Sequence, residues 1–337
     1  MIWMISITST TLSLLKSAIG LYSLLNCLTI QKFLIEIFFT FFPIVLKINF
    51  FTSFDITFSK FFFEMEIGQQ AFLAAMFVTL VSGFLGVFLL TRNLALIGDG
   101  LAHVSFGGVA LAIVFSSTTP LYYALVLSII SAIIIYELQV REILSGDASI
   151  GIFLTGMLAL GLVSLRIWGG GIQNDIEGYL FGNILLVDKE SFNIICIISI
   201  VSIIFLTLCN KILLISSIDP LAAQIQGIPV RASGLAFSIV TAAAVVSMVQ
   251  VMGALLVTAL LVTPAATSQL VSSSIRTSFI WTQIFGFSSV LLGLYYSSEL
   301  ETATGSMIAL VAAIIFGIVA SFQFGVKPLL SQSDNTN

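Results

Sequence analysis

Charge is the scarcest thing in this sequence. Of 337 residues only 8% are Asp, Glu, Lys or Arg, a single one is histidine, and 58% are hydrophobic. The mean hydropathy is +1.15. A soluble globular chain carries roughly a quarter charged residues, and so much bare apolar surface would aggregate in water, so a water-covered fold is excluded. The three cysteines, Cys27, Cys196 and Cys209, form no C-x-x-C pair and lie in apolar surroundings, which argues against a disulfide framework or a structural zinc site. The opening MIWMISITST has no basic n-region and no A-x-A site follows it, so no cleavable signal peptide is expected. No lysine follows a glycine anywhere, which excludes the G-x-x-x-x-G-K-[ST] phosphate loop, and one histidine excludes H-E-x-x-H. No nucleophile–base pair suggests an enzyme. The formal net charge of −4 says little about partners; this composition implies lipid, not nucleic acid.

What the sequence does have is apolar runs near 20 residues long, recurring along the chain. That is the length a helix needs to cross about 30 Å of hydrocarbon. A membrane β-barrel would show short alternating segments instead. The expectation is an all-α, polytopic transmembrane helical bundle of about eight or nine core helices. The spans fall roughly at 70–91, 94–115, 120–137, 150–166, 190–208, 232–250, 251–272, 277–297 and 303–324. Basic residues fix the orientation: turns at Arg92, Arg141, Lys211 with Arg231, Arg276 and Lys327 share one side, cytoplasmic by this rule, leaving Arg166 and Lys189 opposite. The outer loops are acidic, with Asp175, Glu177, Asp188, Glu299 and Glu301.

Residues 1–64 differ from the rest. They hold twelve phenylalanines between Phe33 and Phe63 but one glycine, Gly20, and Lys16, Lys32, Glu36 and Lys47 interrupt their apolar runs. Membrane bundles use small residues for close helix approach, and this segment offers few. It is either an N-terminal anchor or sequence upstream of a true start at Met65, where MEIGQQAFLAAM opens a clean membrane segment; the second is the expectation. Residues 65–327 would form the core domain and 328–337 a short disordered tail.

Four stretches carry chemistry or punctuation. In IGDGLAHVSFGG, residues 97–108, Asp99 and His103 are one helical turn apart and share a face. An aspartate inside a membrane helix costs about 2.5–3.5 kcal/mol on insertion scales, so it faces the bundle interior and wants a partner. Carboxylate and imidazole suit zinc or manganese. One chain supplies two ligands; a symmetric dimer with this helix at its axis would supply four. The blander possibilities are an Asp–His pair bonded to each other, or a helix end near the interface where charge is cheap. The neighbouring Gly98, Gly100, Gly107 and Gly108 read as a packing face. In the loop from Cys209 to Arg231, Asp219 is an N-cap, Pro220 is pre-set for the first helical position, and Gly227 with Pro229 ends the helix. This is either a docking element or an ordinary loop helix. In 251–270, VMGALLVTALLVTPAATSQL, Pro264 removes a backbone bond, and Thr263 or Thr267 is positioned to satisfy the freed carbonyl. Residues 168–186, WGGGIQNDIEGYLFGNILL, are too broken for a span and read as interfacial or re-entrant.

Taken in order, IGDGLAHVSFGGVALAI, DIEGYLFGNILL, DPLAAQIQGIPV and VMGALLVTALLVTPAATSQL resemble one family, the membrane permeases of ATP-binding-cassette importers for zinc and manganese, the ZnuB type. The likeness covers most of residues 65–325. It implies a multi-pass protein of the bacterial inner membrane that works as a homodimer. A separate ATP-binding subunit would dock on a coupling helix, here Asp219 to Gly227 with Pro220, Leu221 and Gln224, and an extracytoplasmic metal-binding protein would deliver the cargo. Asp99 and His103 match polar positions of the family's second helix. The chain departs from the family at Glu301–Ser306, where a D-x-P-x-G stretch is common. The resulting expectation is an inward permease for a divalent transition metal, zinc first, with manganese or iron as alternatives. No permanently bound cofactor is expected. The rival is a secondary carrier in which Asp99 and His103 relay protons, although no repeated interrupted helices are evident.

Overall fold

A computed structural model describes residues 66–117, 119–168, 189–254, 256–300 and 302–326. The predicted N-terminal segment, the broken stretch after Trp168, Glu301 and the tail lie outside these residues. Every regular element described is helical, and the order is α1 (Glu66–Thr91), α2 (Ile97–Val114), α3 (Pro120–Val140), α4 (Gly146–Trp168), α5 (Lys189–Leu208), α6 (Asn210–Ile218), α7 (Pro220–Ile225), α8 (Val230–Met252), α9 (Val257–Val271), α10 (Ile275–Glu299) and α11 (Thr304–Ser321), closed by a π-helical turn at Phe322–Val326. Eight of them hold segments long and apolar enough to cross a membrane. The chain is a multi-pass membrane protein.

The helices begin and end for local reasons. Pro120 stands at the first position of α3, where its missing N–H costs nothing. At α10, Ser274 accepts from the Thr277 amide while Thr277 accepts from the Ser274 amide, a reciprocal cap. Gly253, at φ 87°, ends α8 in backbone conformation that only glycine adopts readily.

One expected span comes out differently. Residues 251–272 are not one helix: α8 runs on to Met252, and α9 is a 15-residue helix starting at Val257. At 1.5 Å per residue it is about 22 Å long, short of a full crossing. Non-helical backbone at membrane depth survives only when enclosed by protein or lining a cavity, and Gly253, Ala254 and Val257 are buried. Thr267 donates to Thr263 O at 2.7 Å rather than to the carbonyl that Pro264 leaves free, four residues before it.

α1, α2 and α8 form the enclosed centre, and α4, α5 and α11 turn most of their surface outward. Buried hydroxyls between α9 and α10 supply directional contacts that lipid tails do not weaken: Ser268 Oγ lies 2.8 Å from Ser278 Oγ and accepts from Thr282 Oγ1 at 2.8 Å. The basic turns gather at one end. Arg92 reaches Ser217, Arg141 and Arg231 share Glu137, and Phe279, one turn after Arg276, packs on Phe88, one turn before Arg92. By the positive-inside rule this end is cytoplasmic.

Candidate metal path and coupling loop

α2 is walled in by its glycines. A Cβ on Gly98 would lie 2.7 Å from Leu261 of α9, on Gly100 2.6 Å from Ile150 and on Gly107 2.9 Å from the Met157 carbonyl of α4, and on Gly108 2.6 Å from the Ala124 backbone of α3. With about 100° per residue, Asp99 and His103 point into the sector between α9 and α4, away from α3. Further along the same stripe, Phe106 and Ala110 are closed off by Leu165 of α4. At its inner end the stripe opens: the Asp99 side chain is 33% exposed and that of His103 8%.

The sequence put Asp99 well inside a span beginning near residue 94. The helix starts at Ile97 instead, so Asp99 stands in its first turn, where the positive end of the helix dipole favours an anion. That agrees with the helix-end reading, and the two side chains lie within ion-pair reach without a hydrogen bond between them. His103 Nε2 is 3.7 Å from Asp99 Oδ1, too far for a hydrogen bond, and His103 Nδ1 is buried without a hydrogen-bond partner among the described residues. A buried orphan nitrogen is costly unless something else comes to it. Among the described residues no third His, Cys, Asp or Glu joins the pair. A single chain therefore brings together one carboxylate and one imidazole, group types that suit a divalent metal.

Thr258 is a polar neighbour with no signal in the sequence. Its Oγ1 is 3.8 Å from where a Gly98 Cβ would sit, buried and unpartnered among the described residues. Other threonines, such as Thr79, Thr207 and Thr241, donate back to a carbonyl of the preceding turn. Thr258 is the second residue of α9 and has no preceding helical turn to bond.

The loop helix forms as its punctuation demands. Asp219 Oδ1 accepts from the Ala222 amide at 2.9 Å, Pro220 opens the helix, and Gly227 closes it at φ 77°. Only Ala223 of α7 is buried; Leu221 and Ile225 are 71% and 87% exposed. The structure thus brings Asp99 and His103 together, and Asp219, Pro220, Leu221, Gln224 and Gly227 onto one short element at the basic end. The segment from Lys211, expected as loop, is helical as α6. A cleft of about 510 Å³ at this end is lined by Arg92, Asn93, Gln139, Glu142 and Asp147, and touches neither Asp99 nor His103. Burial holds the Arg92 guanidinium below its usual range, though it stays charged at neutral pH.

Comparison with known proteins follows the same layout. The manganese transport system membrane protein MntC of Halalkalibacterium halodurans is 31% identical over 267 residues, 78% of this chain and 90% of that protein. The high-affinity zinc uptake system membrane protein ZnuB of Haemophilus influenzae is 31% identical over 251 residues, 74% of this chain and 95% of that protein. The solved PsaBC complex from Streptococcus pneumoniae, bound to a Fab, superposes with a TM-score of 0.69 at 30% identity, covering 78% of this chain and 94% of that one. Residues 64–323 match the model of the ABC 3 transport family. With that match running from α1 through α11, the chain belongs to the ABC 3 transport family.

Proposed function

We propose that this chain is the permease subunit of an ATP-driven importer for a divalent transition metal, manganese or zinc, and that Asp99 and His103 line the path of the ion. The observation that carries the ligand assignment is the half-shell in α2: a partly open carboxylate one turn from an imidazole whose Nδ1 is buried and unpartnered. Two copies meeting along the open sector would offer two carboxylates and two imidazoles. Thr258 adds a hydroxyl beside each α2. Carboxylate, imidazole and hydroxyl without thiolate accept manganese and zinc alike, and relatives named for each support both. An incomplete, flexible set suits transport, because an ion must leave as readily as it arrives.

In this reading a metal-binding protein delivers the ion outside. ATP binding to a separate subunit docked on α7 moves the 219–227 loop and reverses which side the path faces. Residues 1–64 are not needed for this chemistry, and we assign the core to 65–327.

Uptake of radiolabelled manganese and zinc by a transport-deficient strain tests the proposal. Wild type should restore uptake of at least one metal in an ATP-dependent manner. Asp99→Ala and His103→Ala should each lower it about tenfold or more, the scale on which even the outer partners of metal ligands act, with assembly in the membrane intact. Uptake that survives ATP depletion and follows a proton gradient would point to the secondary carrier, and undiminished uptake in both variants would remove the ligand assignment.

A further inference from the structure

Arg92 sits in the turn from α1 into α2, seven residues before Asp99, and touches both flanks of the coupling loop. Its Nε donates to Ser217 Oγ at 2.8 Å, and Ser217 lies two residues ahead of the Asp219 cap. Its guanidinium carbon stands 4.4 Å from the centroid of the Phe237 ring, in the second turn of α8, just past the loop. Phe237 rests edge-on against Phe88 at 6.1 Å, and Phe279 packs on Phe88 and Phe84 at 5.4 Å each. The Ser217 hydroxyl in turn donates to Leu213 O. Asn93, held at φ 54°, makes the reversal into α2, and the Leu94 amide ties it to Leu89 O at 2.9 Å. One half-buried side chain thus joins the segment before α7, the helix after it and the turn that carries the Asp99–His103 helix.

The other tie at the loop is built differently. Arg231 Nη2 donates to both oxygens of Glu137, at 2.9 and 2.7 Å, and Arg141 Nε to one of them at 3.1 Å; Tyr136 OH donates to Arg231 O at 2.9 Å. The Arg231 side chain is 63% exposed, a setting in which ion pairs contribute little. It leads to α3, which bears neither candidate ligand.

We propose that Arg92 is the positioning residue through which movement of the 219–227 loop reaches α2, and that the Glu137–Arg231 pair is an anchor that does not transmit it. Coupling between distant sites is warranted physically by an element that both ends bias. The Ser217–Arg92–Phe237 joint is continuous with α2 through the four residues of the turn, Asn93 to Leu96, and reaches the loop through the hydrogen bond to Ser217, two residues ahead of Asp219. This inference rests on the importer reading.

The test uses the complete transporter, permease with its ATP-binding subunit and metal-binding protein, in proteoliposomes, and reads ATP hydrolysed per manganese or zinc ion taken up. Arg92→Leu keeps bulk but loses both contacts; it should hydrolyse ATP near the wild-type rate while the ratio rises about tenfold, within the span of typical coupling effects. Arg92→Lys, which keeps the charge over Phe237, should recover part of the loss. Ser217→Ala removes one hydroxyl and should raise the ratio about threefold, within the range by which substitutions along a coupling network act; it decides the matter if Arg92→Leu fails to assemble. Glu137→Gln should leave the ratio at the wild-type value. An unchanged ratio in Arg92→Leu, or in Ser217→Ala where Arg92→Leu does not assemble, overturns the inference, as does an equal rise in Glu137→Gln. A wild-type complex that takes up neither metal overturns the importer reading and this inference with it.

Discussion

Helices α2 and α7 put their side chains in opposite places. α2 buries Ile97, Gly98 and almost everything from Gly100 to Ala112 against α3, α4, α8 and α9. α7 buries Ala223 and leaves Leu221 and Ile225 outside. The difference shows what each costs to change. Alterations to α2 are felt through its walls, because packed interiors give way only at a price in strain; the outward positions of α7, Ala223 apart, are free to be altered without disturbing any core, which is what a surface meant for another molecule requires. The largest expected effect lies on the α2 side. Gly108→Leu would drive a side chain into backbone, since even a Cβ there falls 2.6 Å from Ala124 Cα and 2.8 Å from Tyr123 O. Overpacking typically costs about 1–3 kcal/mol, and more where backbone is the obstacle. The variant should melt well below wild type in detergent or fail to accumulate. By contrast Gly156→Leu, on α4 with nothing within 4 Å, should leave melting unchanged. Equal loss in both would break the distinction between walled and open helices.

The next effect belongs to α7. Ile225→Asp places charge where an apolar side chain is 87% exposed, so folding should not notice it. If that side chain seats in the ATP-binding subunit, its loss should weaken co-purification about tenfold, as expected for a buried interface contact. Melting of the isolated permease should stay within about 0.5 kcal/mol of wild type, as for surface changes generally. A variant that pulls down its partner normally would return α7 to the rank of an ordinary loop helix.

The same two elements mark how far the sequence could be read. α7 was legible nearly to the residue, because Asp219, Pro220 and Gly227 act through local backbone chemistry that needs no tertiary partner. The long spans were legible for a similar reason: apolar length against bilayer thickness is a one-dimensional constraint. Four things were not. A division near residue 250 was expected, but its exact place, with α8 ending at Met252 and α9 starting at Val257, sits inside one unbroken apolar run, and Gly253 is ambiguous there, since glycine in a span serves packing as often as a turn. The start of α2 at Ile97 moved Asp99 from a deep position to the first turn; no N-cap signal marks Leu96. Thr258 became a polar neighbour of α2 only because α9 starts at Val257 and crosses Gly98, a tertiary event. Arg92 was read as a topology marker, which its charge supports, but its contacts with Ser217 and Phe237 join positions more than a hundred residues away.

The smallest effect sharpens the contrast within α7 itself. Asp219 does two things at once: its backbone is extended, at φ −139° and ψ 91°, and its side chain satisfies the Ala222 amide. Asp219→Ala removes the second and leaves the first. Lost N-caps cost about 0.5–2 kcal/mol of helix stability, and six residues have little else holding them helical, because short helices in water are marginal. The cost should therefore appear as fraying of 219–227, read as faster amide hydrogen exchange at Ala222 and Ala223, with global melting unaltered. Asp219→Asn, which keeps an acceptor in place, should restore protection, since asparagine caps as well as aspartate. Docking of the ATP-binding subunit should weaken only as far as the helix frays, by less than Ile225→Asp weakens it. If Asp219→Ala instead abolishes docking while exchange stays slow, the carboxylate itself meets the partner, and the boundary between what shapes α7 and what α7 presents moves one residue upstream.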